Sequence, residues 1–374
     1  MIINEIIDNL IKCNCIQKGL FKLKNGDTSR YYFNMKNLIS YPKLLKIIGD
    51  ELYKKLPEFD IICGIPYGGL PIASYISTTY NKPMIIIRDK KKEYGMENLI
   101  EGEYKDTDKC IIIDDVITTG GSIKEIYELL KDKVQIVNTV VIMDRQQHDF
   151  EKDNYTYLLC KNDIIKYYLK KISTEKNSKI CFSADITDPY KLINILSEIG
   201  EYIVICKLHY DIIDDDKYDG NLINDIIELS IKHNFLLMED RKFVDISYIV
   251  DKQYKRYKNW VDLVTVHGSC NPDVLKKLSG ALLVSNMSNN TFNYDNKCIN
   301  MYKMHNDRVV GFITQYRIEL DDLVCMTPGI SITDNKIDDQ NYRGINMVDT
   351  DIYIIGRAIY NSNNYVESVK NFLN

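Results

Sequence analysis

Residues 110–125 read CIIIDDVITTGGSIKE. A cysteine and three isoleucines lead into two adjacent aspartates, two threonines and two glycines. An amphipathic run follows, with Ile123, Ile126, Leu129 and Leu130 on one helical face. A buried run, then a turn of hydroxyls and glycines, then a helix is the repeating unit of a parallel sheet. Working outward, the apolar runs FDIICGIP (59–66), KPMIIIRD (82–89) and IVNTVVIMDR (136–145) flank it with helical patterns between. That alternation predicts a parallel sheet covered on both faces.

A second, longer series begins at residue 180. Apolar runs recur at 180–185, 203–209, 235–240, 262–267, 281–286, 309–314, 323–329 and 352–357. Helical patterns such as PYKLINILSEIG (189–200) lie between several of them, with Asp188 as expected cap, Pro189 in the first turn and Gly200 at the end. Eight such units predict a TIM (β/α)8 barrel. Asp185, Lys207, His209, Asp240, His267 and Arg357 fall at the C-terminal ends of these runs, where such a barrel keeps its chemistry. The lysine-rich KYYLKKISTEKNSK (166–179) separates the two series, so the expected domains are 1–164 and 165–374.

Composition bounds the function. The chain has 374 residues, 45% of them hydrophobic and 27% charged, enough for two ordinary cores. A net charge of -5 argues against a general nucleic-acid binder. The 10 cysteines are scattered without a CxxC pair, and the 5 histidines show no metal-ligand spacing, which argues against structural zinc and for a reducing compartment. The start MIINEIIDNLIK carries acids where a signal peptide needs positive charge, and no run is long enough for a membrane span. The expectation is a soluble, cytoplasmic protein without nucleic-acid or membrane partners.

TTGGS after a strand can wrap backbone N–H groups around a phosphate at a helix N-terminus. The chain lacks GxxxxGK[ST] and GxGxxG, so neither a Walker loop nor a dinucleotide fingerprint is present. Asp114 and Asp115 suit the vicinal hydroxyls of a ribose or a water-held Mg2+. The string resembles the phosphoribosyl-pyrophosphate (PRPP) motif of type I phosphoribosyltransferases. FKLKNGDTSRYYFN (21–34), CGIPYGGLP (63–71), RDKKKEYGMENLIEG (88–102) and MDRQQ (143–147) extend the resemblance to the orotate phosphoribosyltransferase family over residues 1–160.

The resemblance implies PRPP contacts from Lys24, Tyr67, Arg88, Lys92, Tyr94, Asp114, Asp115, Thr118, Thr119, Gly120, Gly121 and Ser122. Tyr32, Phe33 and Arg145 would hold orotate, and Lys92 would take part in catalysis. It further implies Mg2+ held mainly by PRPP itself, with no direct protein ligand. Asp89, where the family usually has lysine, and Arg30, where it usually has proline, depart from the pattern.

In MEDRKFVDIS (238–247), Asp240, Lys242 and Asp245 end a predicted strand, with 240 and 242 on one face of it and Lys207 from the neighbouring strand. Alternating lysines and aspartates form a preorganised electrostatic device with a mobile proton. The motif resembles the orotidine 5′-monophosphate (OMP) decarboxylase family over residues 165–374. That implies catalysis by Lys207, Asp240, Lys242 and Asp245 without a cofactor. Nucleotide contacts would come from these and from Asp185, His209, Ser288, Gln340, Tyr342, Gly356 and Arg357. Leu208 and Ile249 stand where that family commonly has threonine, and Ser247 where it has glycine.

The order of the two resemblances is that of bifunctional UMP synthases. It implies conversion of orotate and PRPP to OMP and pyrophosphate, then of OMP to UMP and CO2. It also implies a homodimer with shared active sites, in which Asp245 serves the partner's pocket. Two alternatives stay open at this point: a second domain acting on a sugar phosphate, and a first domain that senses PRPP without catalysis.

Overall fold

A computed structural model describes residues 2–22, 26, 28–88, 99–148, 155–289, 293–332, 335–337 and 340–373. The chain forms two compact units, Met1–Gln17 with Tyr31–Ile164 and Lys18–Arg30 with Ile165–Asn374. The division falls inside the helix Lys161–Lys176, so the lysine-rich interval is helical as far as Lys176.

A two-stranded sheet joins β1 (Ile16–Lys22) to β2 (Thr28–Phe33). The first unit is built on a six-stranded sheet of β3 (Ile61–Gly64), β4 (Met84–Ile87), β5 (Ile100–Glu101), β6 (Lys109–Ile117), β7 (Gln135–Asp144) and β8 (Tyr155–Cys160). Its order is β5-β4-β3-β6-β7-β8, parallel except where β5 pairs with β4. β3 and the first half of β6 consist largely of buried isoleucine and cysteine, as a strand covered on both faces requires. β5 and β8 were not expected. β5 has two residues, too few for a periodicity, and β8 sits at the sheet edge with an aromatic, mixed pattern.

In the second unit all eight expected barrel strands form. They are β9 (Ile180–Ala184), β10 (Ile205–Leu208), β11 (Leu236–Phe243), β12 (Leu263–His267), β13 (Ala281–Val284), β14 (Val309–Ile313) and β15 (Val324–Pro328), with a last strand near the C-terminus. Before that last strand, β16 (Ile330–Ser331), β17 (Asn335–Ile337) and β18 (Gln340–Gly344) make a small sheet of order β16-β18-β17. β19 (Ile352–Ile355) then closes the barrel between β15 and β9 in parallel pairing. Asp188 accepts hydrogen bonds from the N–H groups of Tyr190 and Lys191, capping the helix Pro189–Ile199 as its sequence predicts.

Residues 18–30 belong to this second unit, and Arg30 shows why the expected proline is absent. Its Nη2 donates to Ser230 Oγ at 2.6 Å and reaches Asp262 Oδ2 at 3.4 Å, with both side chains almost fully buried. Lys18 donates to Asn234 Oδ1 and lies 5.4 Å from the Tyr168 ring centroid. Proline could supply neither contact.

Candidate active sites

The C-terminal ends of the barrel strands surround a pocket. Asp185, Lys207, His209, Asp240, Lys242, Ser288, Tyr342, Gly356 and Arg357 line it, along with Ser183, Asn286, Met287, Pro328 and Gly329. At its floor Asp240 Oδ2 lies 2.8 Å from Lys207 Nζ, 2.9 Å from Lys242 Nζ and 3.2 Å from His209 Nε2. Its other oxygen accepts from Thr265 Oγ1 at 2.8 Å. Lys207 also reaches Asp185 Oδ1 at 3.5 Å, and Ser183 Oγ donates to the same carboxylate.

The approach of Lys242 depends on an irregularity. The register of β11 against β12 shifts between Glu239 and Phe243, and Lys242 takes φ +50 while its N–H donates to Thr265 Oγ1. Residues 240 and 242 therefore meet across a bulge, not along one face of a regular strand. Burial alone would raise Asp240, but Lys207, the His209 hydrogen bond and Lys242 outweigh it and hold the carboxyl well below its usual range. Burial would lower Lys207, but Asp240 and Asp185 hold it above the ordinary lysine value. The pair is thus ionised together, a fixed negative charge ringed by cations.

Asp245 is exposed, accepts from the N–H of Ile246 at 2.7 Å and does not line the pocket of its own chain. Gln340 lies on β18, and its side chain falls outside the described part of the structure.

In the first unit the strand order reverses between β3 and β6, since β4 lies on one side of β3 and β6 on the other. The loops after these two strands meet at that switch point, where open parallel sheets bind ligands. Gly68 sits against Asp115: a Cβ there would come within 2.2 Å of the carboxyl carbon. Gly120 adopts φ +79 and turns the chain into the helix Gly121–Leu130, with Thr118 half-buried and Thr119 and Ser122 exposed beside it. Burial, reinforced by Asp115, pushes Asp114 up to about 8.

Arg88 pairs with Glu101, Tyr67 and Tyr32 are exposed, and the Arg145 guanidinium lies 5.8 Å from the Phe33 ring centroid. Lys24, Lys92, Tyr94 and the departure at Asp89 lie outside the described residues.

Residues 178–372, more than half of the chain, match the Orotidine 5'-phosphate decarboxylase / HUMPS family. The chain belongs to that family. Residues 34–171 match the phosphoribosyl transferase domain. Uridine 5'-monophosphate synthase of Bos taurus is 28% identical and aligns over 99% of this chain and 95% of its own. Orotidine 5'-phosphate decarboxylase of Pichia kudriavzevii is 36% identical over 50% of this chain and 82% of its own. Orotate phosphoribosyltransferase of Methanocaldococcus jannaschii is 35% identical over 40% of this chain and 89% of its own.

In this member of the decarboxylase / HUMPS family, sequence reasoning missed Thr265, Asn286 and Glu239. Thr265 lies inside an apolar strand and gives no signal of its own; only the pairing of β12 with β11 brings it to Asp240. Glu239 is fully buried beside Asp240 and accepts from the N–H of Tyr210 at 3.1 Å. Burial, only partly offset by that hydrogen bond, pushes it up to about 8. Leu208, at a departure noted above, is fully buried in the core, so no polar group is required of it.

Proposed function

We propose that residues 165–374 decarboxylate OMP and that residues 1–164 make it from orotate and PRPP, so that one chain carries out both closing steps of UMP synthesis. The observation that carries this reading is the buried Asp240 carboxylate ringed by Lys207, Lys242 and His209 in a pocket that also holds Arg357. The similarity to UMP synthases along nearly the whole chain supports the pairing of the two activities.

In the decarboxylase step Arg357 and Tyr342 hold the phosphate, Asp185 the ribose hydroxyls and Ser288 the pyrimidine edge. The substrate carboxylate then sits against Asp240, whose charge is held in place by Lys207. The C6–carboxylate bond breaks, its electron pair stays on C6, and CO2 departs. The Lys242 ammonium, held 2.9 Å from Asp240 Oδ2, stabilises that pair and delivers a proton to C6. Lys242 is about 30% exposed and regains its proton from solvent. Phosphate binding remote from C6 supplies energy used at the reacting centre.

In the transferase step the TTGGS loop holds the 5-phosphate, Asp114 and Asp115 the ribose hydroxyls, and Arg145 the orotate carboxylate beside Phe33. Among the described residues no group of three or more His, Cys, Asp or Glu side chains gathers for a metal. Asp114 and Asp115 would hold a PRPP-borne Mg2+ through water. When bound, the ion neutralises charge on the departing pyrophosphate. In the barrel pocket Lys207 and Lys242 already pair with the Asp240 carboxylate that a metal would need, which supports a decarboxylase step without one.

We further propose a homodimer in which Asp245 completes the partner's pocket. Val244, Ile246 and Tyr248 around it are 57%, 66% and 66% exposed, an apolar surface that a second copy would cover. A cytoplasmic location fits the free, buried cysteines, and among the described residues no helix is long and apolar enough to cross a membrane.

The test is UMP formation from orotate, PRPP and Mg2+ by the purified chain. EDTA should abolish orotate consumption and leave decarboxylation of supplied OMP intact. Loss of both activities on chelation would refute the metal-free reading of the barrel site.

A further inference from the structure

We propose that Glu239, outside the substrate pocket, is a positioning residue that fixes His209 against Asp240. This rests on the reading of the barrel pocket as a decarboxylase site. Glu239 precedes Asp240 on β11, so its side chain leaves the other face of the strand, and it does not line the pocket. It is fully buried and takes no part in the steps of decarboxylation. The pairing of β10 with β11 ends where Leu208 stands opposite Glu239. Two residues on, the N–H of Tyr210 lies beyond that ladder, and a buried N–H needs an acceptor. It meets the Glu239 carboxyl, 3.1 Å from Oε2 and 3.4 Å from Oε1.

That contact sets His209, because the N–H belongs to the peptide unit between His209 and Tyr210. The carbonyl of the same unit accepts the N–H of Ile212 at 3.1 Å. With both ends held, the peptide plane is fixed, and His209 stays at φ -111 and ψ 84. From there its Nε2 lies 3.2 Å from Asp240 Oδ2, 3.3 Å from Lys207 Nζ and 3.8 Å from Asp185 Oδ1. Tyr210 is anchored through its side chain as well. Its ring packs edge-on against Trp260 with centroids 5.5 Å apart, and its hydroxyl donates to Asp215 Oδ2 at 2.9 Å.

A carboxyl suits this task. Burial keeps Glu239 largely protonated at neutral pH, so it accepts the Tyr210 N–H without setting a second negative charge beside Asp240. An apolar residue at 239 would fill the space but leave that N–H unpaired, and the peptide would turn toward another acceptor. His209 would then drift from Asp240, whose Oδ2 would lose one of the three groups, with Lys207 and Lys242, that hold it in place.

A double-mutant cycle on the full chain tests this. Glu239→Met keeps the length of the side chain and removes the acceptor, while Glu239→Gln keeps an oxygen for the N–H. The kcat for OMP should fall about tenfold with methionine, the scale of one hydrogen bond, and stay within about twofold of wild type with glutamine. His209→Asn should lower it about tenfold as well. Because both changes act through His209, the double variant of Glu239→Met and His209→Asn should lie about tenfold down, not about a hundredfold. The chain has 5 histidines, and the imidazole signal of His209 in histidine-labelled protein is assigned by its loss in His209→Asn. That signal should shift in Glu239→Met and stay in Glu239→Gln. Full additivity in the double variant, or an unmoved His209 signal in Glu239→Met, overturns the proposal. A chain that folds with glutamine at 239 but with neither methionine nor leucine overturns it too, since Glu239 would then serve the barrel as a whole. A wild-type chain that releases no CO2 from OMP overturns the decarboxylase reading instead, and the His209 signal still decides the role of Glu239.

Discussion

Replacing Arg30 by methionine is the perturbation whose size follows most directly from the structure. Arg30 and Asp262 expose 2% and 0% of their side chains, and Asp262 Oδ2 also accepts the N–H of Leu237 at 2.8 Å, near the start of the strand that carries Asp240. Removing one partner of a buried ion pair costs about 3–5 kcal/mol, because the other charge stays in a low-dielectric site. Two features place Arg30→Met at the low end. The Arg30–Asp262 separation is a long 3.4 Å, and Lys18 stays near Asp262. Burial lowers Lys18 to about 7, and Arg30 contributes to that lowering, so removing Arg30 favours its charged form. A loss of about 3 kcal/mol is expected.

Trp260 is the single tryptophan and is buried in the second unit, so its fluorescence reports that unit's unfolding in urea. With a slope of about 2–3 kcal/mol per molar, the midpoint should fall by about 1 M. Adding Asp262→Asn, which still accepts from Leu237, should recover at least half of the loss, since it removes the stranded charge. A loss below about 1 kcal/mol, or no recovery in the double variant, would refute the account of Arg30 as the barrel unit's buried anchor.

Lys242→Ala and Asp245→Ala homodimers should each be nearly inactive as decarboxylases. Random mixing makes about half the dimers mixed, each with one intact site, so about a quarter of native activity should return by symmetry; no recovery from demonstrably mixed dimers would sink the shared site. Glu239 is raised from its ordinary 4.5 to about 8, so the folded chain holds a proton there that the unfolded chain releases. Its contribution to stability is complete below pH 4.5 and is lost as pH rises through about 8. Glu239→Gln should remove that slope and gain stability relative to wild type between pH 5 and 8, measured as paired urea midpoints. A parallel pH profile for variant and wild type would contradict the buried neutral carboxyl.

Much of this was legible in the residues alone. Apolar runs such as CIII (110–113) and ALLV (281–284) read as buried strands, and their alternation with amphipathic helices points to parallel sheets and barrels. Strings such as TTGGS and DRKFVD set their residue types in consecutive positions, so candidate residues could be named from them without coordinates.

Other features depend on residues far apart in sequence. The sheet order that makes β3 and β6 a switch point is a choice among pairings that local pattern does not encode. The bulge that brings Lys242 to Asp240 needs Thr265 as acceptor for a displaced N–H, some twenty positions away. Arg30 stands in the sequence only as a departure from the usual proline, and its partners Asp262 and Ser230 lie 232 and 200 positions away. Asp295 gives no signal until Asn286 and Tyr316 converge on it. Local sequence determines which side chains are available and which backbone each prefers; desolvation and long-range hydrogen bonding, which exist only after the chain has closed on itself, decide what those side chains become.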